Sequence, residues 1–134
     1  MEALSAWQPR LLSVLRIMTA LLFLQHGLVK ILSFPGPFMR TVVTGELIWF
    51  SALIEIVGGI LLVLGLFTRH TAFVCSGLMA FAYFLGHAFS PTSKSVLYPI
   101  LNGGNLAVLY CFVFLYIAAA GPGPWSLDAK QGRA

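Results

Sequence analysis

His26 and Lys30 stand four residues apart in a stretch that is otherwise almost wholly apolar. On a helix that spacing puts an imidazole and an ammonium on one face. Further along, Glu55, His87, Asn102 and Asn105 interrupt three other apolar stretches, and Tyr83 stands four residues before His87. Imidazole changes charge near neutral pH, and a carboxylate beside it can accept, hold or return a proton. Two imidazoles, one ammonium, one carboxylate and two amides brought together could hold a polar headgroup or move a proton.

The elements that carry these residues read as membrane spans. Apolar runs at Leu11–Leu32, Leu47–Phe67, Ala72–Phe89 and Gly104–Ala120 are separated by Pro- and Gly-rich breaks, and a hydrocarbon core of about 30 Å takes ~20 helical residues. The chain is 59% hydrophobic and 9% charged, against roughly 25% charged in a soluble domain, and no segment outside the spans is long enough for a core of its own. The expected fold is all-α: an integral membrane four-helix bundle, up-down-up-down, forming one transmembrane domain over residues 1–134. The first run is no cleaved leader, because it contains Arg16 and ends at Phe34-Pro35-Gly36-Pro37 without a small-x-small site.

The basic residues sit at span ends, so the formal charge of +4 serves orientation rather than nucleic-acid binding. Arg10, Arg16, Arg69, Lys130 and Arg133 fall on the side of the termini, and Lys30, Arg40 and Lys94 on the other. That excess predicts cytoplasmic termini. Up-down alternation then brings His26, Lys30, Glu55, His87, Asn102 and Asn105 toward the opposite leaflet. Ionisable side chains are costly against lipid and turn to the bundle interior, so these six form the candidate intramembrane cluster.

Other residues have structural expectations. Gly58, Gly59 and Gly65 on the second span allow close helix packing, and the same small face would serve a homo-oligomer seam. Asn102 reads as the N-cap of the fourth span and Gly121 as the glycine closing it. Cys75 and Cys111 lie within spans and form no Cys-x-x-Cys pair, so they read as small buried hydrophobes. The spacing of His26, Glu55 and His87 is that of no compact metal motif, and no metal or cofactor motif is evident. The segment from Asp128 onward reads as a polar, frayed tail. Lys30 reads as lying near the mouth of the cluster with Glu55 deeper, which predicts His26 rather than Lys30 as the first partner of Glu55.

The run from Arg16 through His26-Gly27 to Lys30, then Glu55 through Gly58-Gly59 and Gly65 to Arg69, then Met79 and His87, and finally Gly121-Pro-Gly-Pro-Trp125-Ser-Leu-Asp128, resembles the DoxX family of bacterial inner-membrane proteins. That resemblance implies a four-helix bundle in the bacterial cytoplasmic membrane, related to small subunits of thiosulfate:quinone oxidoreductases. Asn105 departs from the pattern, since relatives often carry Glu after the Gly-Gly. The function it implies is a membrane component of a redox or oxidative-stress system, with a quinone or small sulfur compound in the polar cavity and electrons supplied by a redox-protein partner. The competing reading is a non-catalytic scaffold in the lipid bilayer, whose polar cluster only locks the helices together while its surface recruits partners.

Overall fold

The computed structural model describes residues 1–38 and 42–133; Arg40, counted above for orientation, lies outside them. The described residues are helical with no strand: α1 (Glu2–Ser5), α2 (Gln8–Leu32), α3 (Leu47–Leu64), α4 (Thr68–Phe81) continuing as a π-helix over Ala82–Ala88, α5 (Pro99–Asn102), α6 (Asn105–Ala120) and α7 (Leu127–Lys130). Three of these, Gln8–Leu32, Leu47–Leu64 and Thr68–Ala88, are long and apolar enough to cross a membrane, and Asn105–Ala120 is a shorter apolar helix. This is a membrane protein. α2 packs chiefly on α3 and α4 chiefly on α6, with α3 and α4 also in contact.

The core sits where the two pairs meet. Phe23 of α2 meets Tyr110 and Phe114 of α6 edge-on, at ring-centroid distances of 5.5 and 4.8 Å, and Leu62, Cys75 and Met79 belong to the same cluster. Leu22, Phe73, Phe81 and Phe112 point outward, as side chains facing lipid rather than water do. Gly59 lies against Leu24, where an added Cβ would come within 2.9 Å of the Leu24 Cβ, and Gly58 lies against Cys75, where it would come within 2.6 Å of Sγ. Both contacts are within the bundle.

Gly65 also permits close contact, since a Cβ there would run into Ser126 Cβ and come within 2.5 Å of Arg16 Nη1, and it closes the helix as well. Its φ of +67° ends α3 in a left-handed cap, with Leu66 N–H bonded to the Leu61 carbonyl at 2.9 Å and Gly65 N–H to the Leu62 carbonyl at 3.3 Å. This is the Schellman arrangement, which glycine adopts without steric cost. The second span therefore stops at Leu64, before Phe67.

The tail is not frayed through Arg133, and Ala134 lies outside the described residues. Residues 121–133 fold across the end of the bundle and complete it. Arg16, fully buried on α2, donates through Nη1 to the Pro122 carbonyl and through Nη2 to the Trp125 carbonyl at 2.6 Å. Trp125 N–H donates to Ser13 Oγ at 3.1 Å, and Asp128 N–H to the Gly65 carbonyl at 2.9 Å. Arg69 donates to the carbonyls of Ala118 and Ala119 at 3.1 and 2.5 Å, neutralising the C-terminal end of α6, where carbonyls lack helical partners. The composition of this tail reads as solvated, and polarity alone does not reveal that its acid, Asp128, binds backbone.

Asp128 caps α4. Its carboxylate accepts the Phe67 N–H at 3.0 Å and the Thr68 N–H at 2.8 Å, so α4 begins at Thr68, ahead of the expected Ala72. Burial alone pushes this carboxyl up; hydrogen bonds from Thr68 and Phe67 and the charge of Arg133 outweigh it, and the carboxyl titrates below its ordinary range. The carboxylate thus binds its proton less readily folded than unfolded. Its stabilising contribution is complete above the ordinary carboxylate value of about 3.9 and is lost as pH falls below that through the lowered folded value. Asp128→Ala should cost about 1–2 kcal/mol at neutral pH. In detergent melts across acid pH, Asp128→Asn should show a smaller acid loss than the parent; equal losses would assign that slope to other carboxyls.

Candidate functional site in the bundle interior

Glu55 is buried on α3, 1% exposed. It faces α2 where Gly27 lets the two helices approach, since a Cβ on Gly27 would lie 2.8 Å from the Ala52 carbonyl and 3.0 Å from the Glu55 Cβ. Glu55 Oε1 accepts from Lys30 Nζ at 2.6 Å and from Ser51 Oγ at 3.1 Å, and Lys30 Nζ also reaches Ser51 Oγ at 3.4 Å. The ion pair corrects the expectation of a histidine partner. Four methylenes let Lys30 fold inward, leaving its side chain 16% exposed, whereas the His26 ring is tied to its own helix by Nδ1–H donation to the Leu22 carbonyl at 2.9 Å. His26 instead lies edge-on to Tyr110, with ring centroids 5.8 Å apart.

Glu55 Oε2 and Tyr110 Oη are both buried without a hydrogen-bond partner among the described residues. Cys75 of α4 packs on Gly58, less than one turn from Glu55 on α3, and Tyr110 of α6 meets His26 of α2, so neighbouring helices enclose this part of the interior. An unpaired carboxylate oxygen in such a place costs desolvation energy with no bond in return, and a donor from a ligand would relieve that.

His87, Asn102 and Tyr83 form a second group at the π-helix and α5. His87 Nδ1–H donates to the Asn102 carbonyl at 3.1 Å. Asn102 Nδ2 donates to the Ser95 carbonyl at 2.9 Å and to Tyr83 Oη at 3.3 Å, and Tyr83 Oη donates to the Val96 carbonyl at 3.0 Å. Asn102 is not the N-cap of α6. Pro99 opens a separate short helix that Asn102 ends, and Gly104 occupies the cap position while its N–H donates to Asn102 Oδ1 at 2.9 Å. Asn105, the first residue of α6, is exposed.

The six candidate residues thus divide. Lys30 and Glu55 are bonded to one another, His87 and Asn102 are bonded to one another, and neither His26 nor Asn105 bonds to either pair. Ser51 and Tyr110 were missed by the sequence reading. Ser51 was legible as the i−4 neighbour of Glu55, and Tyr110 as a polar-tipped residue deep in an apolar helix.

A family model described as DoxX matches residues 11–88, more than half of the chain. The chain belongs to the DoxX family. A Haemophilus influenzae protein described only as uncharacterized is 42% identical over 132 residues, 97% of each chain. The Escherichia coli protein named inner membrane protein YqjF is 30% identical over 122 residues, 86% of this chain and 87% of its own. No solved structure matches. The DoxX match contains Arg16, Lys30, Ser51 and Glu55 and stops at Ala88, before Tyr110 and Asp128. The ion pair therefore falls inside the matched segment, while the phenol beside it and the clasp over Arg16 come from beyond it.

Proposed function

We propose that this protein is the inner-membrane component of a redox system and binds a quinone headgroup beside Glu55. The observation that carries this reading is the pair of buried, unpartnered polar atoms, Glu55 Oε2 and Tyr110 Oη, next to an ion pair that opens toward the surface through Lys30. A quinone takes up two electrons and two protons to become a quinol; the electrons come from a redox-protein partner. Tyr110 donates its free O–H to a ligand carbonyl. Glu55 accepts a ligand hydroxyl through Oε2, and Oε1 stays with Lys30 and Ser51. Lys30 bonds the carboxylate and links it to the bundle surface, where water supplies both protons. Cytoplasmic termini and an opening on the opposite face follow from the distribution of Lys and Arg.

Tyr110→Phe separates this reading from a structural role. The hydroxyl has no partner among the described residues, so its removal should leave the thermal midpoint unchanged while weakening binding of a short-tailed benzoquinone by about 2- to 12-fold, the worth of one net hydrogen bond. Unchanged quinone binding in Tyr110→Phe and in Glu55→Gln would rule out this site.

A scaffold role has its own support: Lys30 bonds to Glu55 across α2 and α3, and His87 to Asn102, so the charged groups already cross-link helices. On that reading Glu55→Gln lowers the thermal midpoint and partner recruitment together, and quinone binding is absent from the parent protein too.

A further inference from the structure

A groove of about 440 Å³ runs along the outer seam between α3 and α4, with Val57, Gly58 and Leu61 on one wall and His70, Val74 and Cys75 on the other. Its floor is closed where Cys75 Sγ fills the space that Gly58 leaves. Val57 and Val74 stand at its rims, 57% and 54% exposed, in the part of the bundle that faces hydrocarbon. On α3 the lining runs from Leu53 to Leu61, about 12 Å of helix, which is close to the ~15 Å depth of one leaflet. The groove therefore has the length of a single acyl chain in the leaflet on the side of the termini.

Its interfacial end is basic. His70 lines it, and the Arg133 guanidinium lies 5.2 Å from the ring centroid of Phe67, in the turn that joins the two walls. The nearby acid, Asp128, has its carboxylate committed to the Phe67 and Thr68 N–H groups. Arg69 is committed to α6, while the His70 imidazole and the Arg133 guanidinium, which acts on Asp128 only through its charge, remain to meet an anion in the headgroup layer.

We propose that this groove is a binding site for one anionic glycerophospholipid, its acyl chain along Val57 and Val74 and its phosphate between His70 and Arg133. The fixed phosphate would shield the positive end of the bundle, and the chain would seal the seam between the two helix pairs.

Native mass spectrometry after reconstitution in bilayers of equal parts phosphatidylcholine and phosphatidylglycerol tests this. The parent protein should retain one phosphatidylglycerol in preference to phosphatidylcholine. Retention should fall about fivefold in H70Q/R133Q, from one arginine at roughly 1 kcal/mol near the surface. Val74→Trp and, independently, Val57→Trp fill the groove from its exposed rim and should abolish retention, whereas Leu109→Trp, on the lipid-facing side of α6, should not. Equal retention of the two lipids overturns the headgroup assignment, and full retention by both rim variants overturns the groove.

Discussion

Lys30→Met is expected to destabilise the protein by about 3–5 kcal/mol, the cost of leaving one member of a buried ion pair without its partner. Glu55 is 1% exposed, and among the described residues Lys30 Nζ is its sole cationic contact, at 2.6 Å. Without it the carboxylate must either stay charged in the core or take up a proton. Glu55→Gln should be milder, about 1–2 kcal/mol, because the partly exposed lysine can turn its ammonium back toward the surface. The double variant Lys30→Met/Glu55→Met should recover most of the loss, since apolar groups of similar volume commonly replace a buried pair at little cost. Chemical unfolding of the parent, Lys30→Met, Glu55→Met and the double variant in one detergent gives the coupling directly. Additive losses would mean that the 2.6 Å contact contributes nothing to the folded state.

The second large effect is expected at Arg16. Its guanidinium is fully buried and holds the carbonyls of Pro122 and Trp125, two charge-assisted hydrogen bonds of about 1.5–3 kcal/mol each. Arg16→Met should cost about 3–5 kcal/mol and release residues 121–133 from the bundle, which limited proteolysis would register as early cleavage near Gly123. Arg16→Lys should recover only part of this, because a single ammonium lacks the planar fork that spans two carbonyls. Cleavage at the parent rate in Arg16→Met would show that Ser13 and Asp128 hold the segment without it.

What the sequence made legible was what hydropathy and helix-breaking residues encode. The apolar runs found the helices, and Gly121 marked the end of α6, where its N–H bonds to the Ile117 carbonyl at 2.8 Å. Glu55 was recognisable because a carboxylate has few reasons to lie in an apolar run. Its partner was not, because that choice depends on how far Lys30 folds and which carbonyl His26 finds first, matters of rotamer and helix rotation rather than residue type. The separation of His87 and Asn102 from Glu55 was equally hidden: alternation of spans assigns a leaflet to a residue, and two residues in one leaflet can still lie on different helix pairs. The clasp was missed because a run of Gly, Pro and Ser with scattered charges has the composition of a loose end. Its order comes from contacts with residues 60 to 112 positions earlier.

That separation has a consequence for biosynthesis. Arg16 and Pro122 are 106 residues apart in sequence, and at ~5–20 residues per second a ribosome needs about 5–20 s to travel between them. Throughout that interval the first span is complete and its arginine has none of its final carbonyl partners. The side chain is near enough to the end of α2 to wait in the headgroup layer, so the nascent helix would sit shallow and move to its final depth only after Trp125 has left the ribosome. Assembly of this bundle would then finish with a small inward movement of its oldest helix.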